Sequence, residues 1–347
     1  VTGVQTCALP IYPQSSAAGT LVAFAAAIVV AVVILVIGSA SPGRALAAFF
    51  VEPIRNRYYL GNMLSVASLL ALTGLGISVA FRAAVFNLGG EGQTYLSAVV
   101  AVVIGLALRD VFPPAAQFAA FGAAVVVGAA LAAVSGVLKY LWNTDELITS
   151  FLISAGVIPI VDYLIQGPLD DPASNLQSTA TIGQPLRFVS ILPPSNLSTG
   201  ALLAVVAVVV LFFFLFHTVR GYELRVFGLN RGFAAYGGIS VLTYTIAPMA
   251  LSGGLHGLAG ATLVFGTHHA ALVGFTGGLG WNGIAVSLIA RNNPAWVIPA
   301  ALAFSYLEAG ARASTVLTDF SFQLGAVIQG VVFLFVTAEV VMRRRNR

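Results

Sequence analysis

The strongest constraint in this sequence is the recurrence of long apolar runs with almost no charge inside them. A helix that crosses a hydrocarbon core needs roughly 20 mostly apolar residues, fewer where it is buried among others, and about ten stretches meet that description. They are Thr20–Gly38, Asn62–Ala80, Thr94–Leu108, Ala115–Leu138, Ile148–Leu164, Ser198–Phe216, Leu242–Phe265, Leu272–Ile289, Ala295–Leu307 and Phe322–Met342. Composition rules out a soluble core as their source. Hydrophobic residues make up 59% of the chain, charged residues 8%, and the mean hydropathy is +0.96, whereas soluble domains carry charge on about a quarter of their residues. Apolar residues surround most of these runs on every face, as a lipid-embedded bundle requires. The expected fold class is an all-α integral membrane protein of about ten transmembrane helices, with membrane lipid as its solvent.

Lys and Arg in the short loops set the orientation. The arginines Arg343, Arg344, Arg345 and Arg347 account for a number equal to the net charge of +4, so the basic balance describes a tail. A nucleic-acid partner would need a basic stripe along the fold, and none is present. The arginine-rich end and the 218–240 segment, which holds Arg220, Arg225 and Arg231 against Glu223, are expected on the cytoplasmic side. The 166–197 segment, with Asp170, Asp171 and a single Arg187, is expected outside. Ten crossings with both ends inside satisfy these assignments and place Lys139 and Arg291 inside; Arg44, Arg55 and Arg57 are then exceptions on the outer side.

Residues 1–11, VTGVQTCALPI, match nothing in the rest of the chain. They contain no Lys, Arg or apolar run, as a targeting segment would. Back-translated, they read as one frame of a sequencing-library adapter. They are expected to be an artefact of that kind, with residues 12–347 forming a single transmembrane domain. Cys7 is the only cysteine; without it, disulfides, CxxC redox motifs and thiolate zinc sites are unavailable.

Three segments carry candidate function. The first is AFRAAVFNLGGEGQTYL, residues 80–96, where an Asn, three glycines and a carboxylate separate two apolar runs. Gly89, Gly90 and Gly92 let the backbone leave helical geometry, which a membrane tolerates only where the chain is buried in protein or lines a wet cavity. An ionisable residue at membrane depth is a functional-site candidate, although a cytoplasmic turn with a solvated Glu91 fits the composition equally well. Asn87, Glu91 and Gln93 are the polar candidates here, with Phe86 as an aromatic surface. The second segment, residues 272–294, repeats the character: Gly277, Gly278, Gly280 and Gly283 are expected to interrupt an apolar helix around Trp281 and Asn282. Paired interruptions in two halves of a transporter point to a central binding site. An echo between LALTGLGISVAF at 70–81 and MALSGGLHGLAG at 249–260 leads to the expectation of two pseudo-repeated halves. Within the latter, Gly253 and Gly257 form a GxxxG, whose plain meaning is close helix packing.

The third segment is residues 218–240. Asn230 is a good N-cap, Arg231–Tyr236 can form a short helix, and Gly237 and Gly238 would end it. Such a helix suits docking into a partner protein; a structured loop with a basic face is the plainer alternative.

Other chemistry is thinly supported. No GxxxxGK[ST] phosphate loop occurs, so ATP would have to bind on another polypeptide. His217, His256, His268 and His269 lack the i, i+4 spacing of a metal pair and are assigned packing or interfacial roles. Glu308, Arg312 and Asp319 read as a solvated or locally paired cluster. No catalytic residue, metal or cofactor is expected.

FNLGGEGQ, NTDELITSFLI (143–153), YLIQGPLDDP (163–172), GYELRVFGLN (221–230), LSGGLHGLAGA (251–261) and GWNGIAVSLIARNNP (280–294) occur in this order. Together they resemble the permease subunit of bacterial nucleoside ABC importers of the simple-sugar type, in the group that includes ribose and branched-chain amino-acid permeases. The resemblance spans nearly everything from about residue 20 to the C-terminus. It implies a plasma-membrane subunit that is not an enzyme and that works with a cytoplasmic ATP-binding subunit. It also implies a second permease, usually non-identical, and an extracytoplasmic substrate-binding lipoprotein or periplasmic protein. By position, Gly228 and Asn230, with the flanking Arg225 and Arg231, fall in the loop that contacts the ATPase. Asn87, Glu91 and Asn282 fall near the translocation path. The chain departs from the family pattern at Gly232 and Phe233, where an acidic residue or alanine is commoner. A neutral nucleoside suits such a path: Asn87, Gln93 and Asn282 can offer hydrogen bonds, and Phe86 or Trp281 a stacking surface. A ribose-type or other simple-sugar permease would share the architecture, and an ion-coupled secondary carrier would make Glu91 its proton or cation site.

Overall fold

The computed structural model describes residues 17–321 together with 324, 327, 328, 330, 331 and 334. Residues 1–11, the arginine-rich C-terminus and most of the expected span Phe322–Met342 lie outside the described residues. The described chain is built of helices: α1 (Ala17–Gly38), α2 (Pro42–Phe50), α3 (Glu52–Arg55), α4 (Arg57–Arg82), α5 (Gly90–Ala107), α6 (Pro113–Trp142), α7 (Glu146–Gln166), α8 (Ala201–His217), α9 (Val219–Leu229), α10 (Arg231–Tyr236), α11 (Val241–Leu263), α12 (Leu279–Ile289) and α13 (Pro294–Leu317). Among the described residues five helices are long and apolar enough to cross a bilayer: α4, α5, α6, α7, and α11 with the π-helical turn Val264–His268 that extends it. A sixth results if α8 and α9, which meet at a 74° bend, are taken as one.

One expected span differs in kind. Leu272–Ile289 is not a helix interrupted by glycine: turns occupy its first part, and the 11-residue α12 starts at Leu279. Gly274, Gly277 and Gly278 have φ of 69°, 57° and 81°, a left-handed conformation that glycine alone adopts cheaply and that no helix contains. Gly280 and Gly283 lie inside α12 and serve packing instead. The expected span Ala295–Leu307 is the first half of α13, whose second half carries the i, i+4 pair Glu308–Arg312 at 2.8 Å. Asp319 leaves that cluster: it accepts bonds from the Ala40 N–H (2.6 Å) and the Ser39 hydroxyl (2.7 Å), pinning the α1–α2 turn to the end of α13.

At the centre lie α4 and α11, the most buried of the long helices. Small residues bring backbones into contact here, the means by which helices associate without a hydrophobic drive between them. A Cβ on Gly253 would sit 2.1 Å from the Gly128 carbonyl oxygen and one on Gly257 2.3 Å from that of Ala124, so the GxxxG of α11 packs against α6. On the other side, a Cβ on Gly76 of α4 would lie 2.8 Å from the Ser252 carbonyl oxygen. The two echoing stretches, 70–81 and 249–260, therefore lie against each other. The 166–197 segment is tied to the C-terminal end of α11 and to residues 269–271 by backbone bonds from Thr179 to Ala271 (2.9 Å), Ile182 to His269 (2.7 Å) and Phe188 to Phe265 (2.9 Å). Ile182 and Leu186 of this segment are its buried side chains against that end.

Candidate functional site

The 80–96 segment is a buried connection. α4 ends at Arg82, Ala84 turns the chain at φ 52°, and α5 restarts at Gly90. Its glycines are demanded by crowding: a Cβ on Gly90 would meet His256 Nε2 at 2.4 Å and one on Gly92 the Ser154 hydroxyl at 2.7 Å. Asn87 and Gln93 pair through both amides, with Nδ2 to Oε1 at 2.8 Å and Nε2 to Oδ1 at 2.9 Å. Asn87 also donates to the Ser252 hydroxyl (2.9 Å) and accepts from the Gly89 N–H (3.0 Å). Its hydrogen-bonding capacity is thus spent inside the protein.

Glu91 is buried, 6% exposed, so it is no solvated turn residue. Oε1 accepts from the Thr276 hydroxyl (2.6 Å) and the Gly278 N–H (3.0 Å), and Oε2 from the Gly280 N–H (2.8 Å). A carboxylate at a helix N-terminus meets unpaired N–H groups and the positive end of the dipole. Glu91, in the first turn of α5, therefore holds the start of α12. A Cβ on Gly280 would lie 2.3 Å from the Glu91 nitrogen, so the two helix starts touch backbone to backbone. Next along α12, Trp281 is 46% exposed and Asn282 half-buried. Phe86 packs edge-on to Phe81, with centroids 4.8 Å apart. His256 fills the gap beside Gly76 and Gly90, its Nδ1 2.8 Å from the Ser252 carbonyl oxygen.

The motif NTDELITSFLIS supports this connection from below. Asp145 caps α7 through the Leu147 N–H (2.8 Å). Glu146, Ser150 and Ser154 then recur every fourth residue on one buried face. Glu146 pairs with Lys139 and accepts the Phe86 N–H (3.3 Å); Ser150 accepts the Leu88 N–H (3.0 Å), and Ser154 the Gly92 N–H (2.8 Å). Reading residues one at a time missed these three, although their i, i+4, i+8 spacing was visible.

The 218–240 segment lies at the same C-terminal end of α4, where that helix runs into this connection. Thr218 caps α9 through the Gly221 N–H (3.1 Å). The short helix α10 forms where expected: Asn230 accepts the Phe233 N–H at 2.9 Å, and Gly237 comes directly after its last residue. Gly228 faces inward, where a Cβ would lie 1.9 Å from the Arg82 carbonyl oxygen, so α9 rests directly on the end of α4. The Arg225 guanidinium lies 5.2 Å from the Phe216 ring centre, with Arg82 over the same ring at 5.0 Å. Arg231 lies over Phe227 at 5.8 Å. Outward, Tyr222, Leu229, Phe233 and Tyr236 are exposed. That apolar surface was hidden within a segment singled out for its polarity.

Residues 59–337 match the family described as branched-chain amino acid transport system / permease component. A Treponema pallidum protein named "Probable riboflavin import permease protein" is 32% identical over 311 residues, covering 88% of this chain and 81% of its own. A guanosine ABC transporter permease protein of Bacillus subtilis is 29% identical, covering 82% of this chain and 83% of its own. A glucose ABC transporter permease protein of Haloferax volcanii is 30% identical, covering 92% and 87%. No solved structure matches. Buried glycine-started helices in a multi-pass apolar bundle, matched over most of its length, place this chain in the branched-chain amino acid transport system / permease component family: it is a membrane permease subunit of an ABC importer, not an enzyme, and it works with ATPase and substrate-binding partners.

Proposed function

We propose that this subunit forms half of a path for nucleosides. The observation that carries the substrate reading is the similarity to the guanosine permease across 82% of this chain. Riboflavin and guanosine both join a planar heteroaromatic ring to a hydroxylated chain or sugar, and the exposed Trp281 ring offers a stacking surface for such a ring. In this reading Trp281 and Asn282 face the path, while Asn87, Glu91 and Gln93 fix its shape and Phe86 borders it.

The chain makes ten crossings in two related halves, with the C-terminus and the 218–240 segment cytoplasmic and the 166–197 segment outside. A non-identical second permease completes the path, and an extracytoplasmic lipoprotein or periplasmic protein delivers substrate. Tyr222, Leu229, Phe233 and Tyr236, with Asn230 and Arg231 beside them, form the seat for the ATPase. The route for force is short. Movement of α9 is felt through Gly228 at the end of α4, and α4 leads directly into the 84–90 connection and the Glu91 latch on α12. Closure of the ATPase dimer is thereby converted into alternate opening of the path to the two sides.

A simple-sugar permease is the second reading, favoured by the 30% identity to the glucose permease. Uptake of labelled guanosine into vesicles holding this permease with the ATPase, second permease and binding protein encoded beside it tests the substrate. Uptake unaffected by excess unlabelled ribose or glucose is the expected result. Competition by those sugars, or uptake of a sugar alone, would replace the nucleoside.

A further inference from the structure

Three arginines run against the orientation rule. Arg44, Arg55 and Arg57 stand in the 42–58 stretch, where Glu52 is the one acid. This stretch ends at the N-terminal end of α4, whereas the α9 contact through Gly228 is at the C-terminal end. The 26 residues of α4 separate the two ends by about 39 Å. With α9 and α10 cytoplasmic, the arginines are therefore outside, where the short loops of membrane proteins are depleted of Lys and Arg.

Local structure does not account for them. Arg57 is the first residue of α4, at the positive end of the helix dipole, where a cation is disfavoured. Among the described residues no carboxylate pairs with Arg44, Arg55 or Arg57. Asp319, which reaches the α1–α2 turn, is spent on Ser39 and Ala40. All three arginines are exposed, and residues 54–58, IRNRY, are exposed without a break, with Ile54 at 62%.

The platform that carries them is fixed. The Tyr306 hydroxyl donates to the Phe50 carbonyl (2.8 Å) and the Ser314 hydroxyl to that of Ala45 (3.2 Å), so α2 is tied to α13. A Cβ on Gly310 would lie 2.5 Å from the Phe49 carbonyl oxygen. The first turns of α4 are held by the loop after the 166–197 segment's Val189 and Ile191, because Asn62 Oδ1 accepts the Asn196 N–H at 2.9 Å. Val189 and Ile191 are themselves exposed. Unpaired arginines beside an exposed Tyr58 and exposed aliphatic side chains, on an ordered backbone, match the composition of a protein interface.

We propose that Arg55 and Arg57, with Ile54 and Tyr58 beside them and Arg44 at the flank, seat the substrate-binding partner through carboxylates on its surface. The inference rests on the reading that the 218–240 segment faces the ATPase, since the substrate-binding partner has to reach the opposite end of the path. One helix, α4, then joins the two seats: its first residue meets the protein that brings substrate, and its last carries α9.

The test is binding of the purified substrate-binding protein encoded beside this permease to the complete transporter, both permeases with the ATPase, in nanodiscs of neutral phosphatidylcholine. Surface plasmon resonance at several salt concentrations reads it, and no substrate is needed, so the choice between nucleoside and sugar does not enter. Arg57→Glu should melt no lower than wild type, because it puts an acid at a helix N-terminus, yet bind about tenfold or more weakly at low salt, mainly through slower association. Adding Arg55→Glu should deepen the loss, and the wild-type advantage should shrink as salt rises to about 0.5 M. Equal affinity and equal salt dependence in wild type and the double variant would overturn the seat. Should a reversal fail to fold, Arg55→Gln and Arg57→Gln replace it, with a several-fold loss expected and unchanged binding overturning the seat. Unchanged binding, with phosphatidylglycerol raising the melting temperature of wild type but not of the double variant, would assign the arginines to anionic lipid instead. Arg57→Cys in a Cys7→Ser chain, treated with an impermeant maleimide outside intact spheroplasts, separates the seat from the orientation. Labelling only after permeabilisation would reverse the orientation and the seat with it, whereas external labelling with unchanged binding in the double variant would remove the seat alone.

Discussion

Replacing Glu91 by Gln keeps its volume and removes what the latch depends on. The carboxylate receives three donors, two on Oε1 and one on Oε2. A Gln can offer its oxygen to Thr276 and Gly278, and its NH2 then opposes the Gly280 N–H, donor against donor. One charge-assisted bond is lost at about 1.5–3 kcal/mol, and the two that remain become neutral and roughly half as strong. Loss of the negative charge at the α12 N-terminus removes a further ~0.3–1 kcal/mol. The total is about 3–7 kcal/mol, which should lower the melting temperature of the detergent-purified protein by about 5–10 °C. Glu91→Ala should lower it further, because it leaves both the Gly278 and Gly280 N–H groups without an acceptor. Thermal unfolding followed by tryptophan fluorescence reads the shift, with Trp281 adjacent to the latch. A Glu91→Gln protein that melts within about 1 °C of wild type and transports normally would refute the argument that this carboxylate joins α5 to α12.

Gly228→Leu should leave the protein in the membrane but abolish uptake while the ATPase still hydrolyses ATP, since any side chain there collides with the Arg82 carbonyl; coupled uptake at wild-type rate would contradict it. Asn230→Ala should cost about 0.5–2 kcal/mol at the α10 N-terminus, seen as faster amide exchange over residues 231–237, and unchanged exchange would mean the cap is idle. Asp319 is held below the usual carboxylate range by the Ala40 N–H and then the Ser39 hydroxyl. A depressed folded-state pKa contributes stability above the unfolded value that is lost as pH falls through the folded one. Melting temperature should therefore drop below about pH 4, with a shallower drop in Asp319→Asn; parallel acid limbs in the two proteins would remove Asp319 as a cause.

What could be read from the sequence was what local chemistry determines. Asn230 and Gly237 bracket α10 because a cap acts within one helical turn, and the Gly253–Gly257 spacing announced a packing face because one helix stripe suffices to recognise it. Hydropathy could not separate the turns at Gly274, Gly277 and Gly278 from an interrupted helix, since both are apolar and glycine-rich; only the sign of φ distinguishes them. Glu91 could be singled out as a charge among glycines, yet its partners Thr276, Gly278 and Gly280 lie some 185 to 189 residues away. Asp162 was visible as a lone carboxylate in the apolar run 148–164, but its partner Tyr95, 67 residues away, was not, since the pair forms only when α5 and α7 are side by side.

The central claim is that this chain is a passage driven by ATP through α9 and α10. The most direct measurement is guanosine accumulation in vesicles of the full transporter, with binding protein and labelled substrate outside and either ATP or a non-hydrolysable analogue sealed within. Accumulation above the external concentration with ATP, none with the analogue, and none with ATP in the Gly228→Leu transporter is the predicted result. Accumulation that follows a proton gradient and ignores ATP would contradict it.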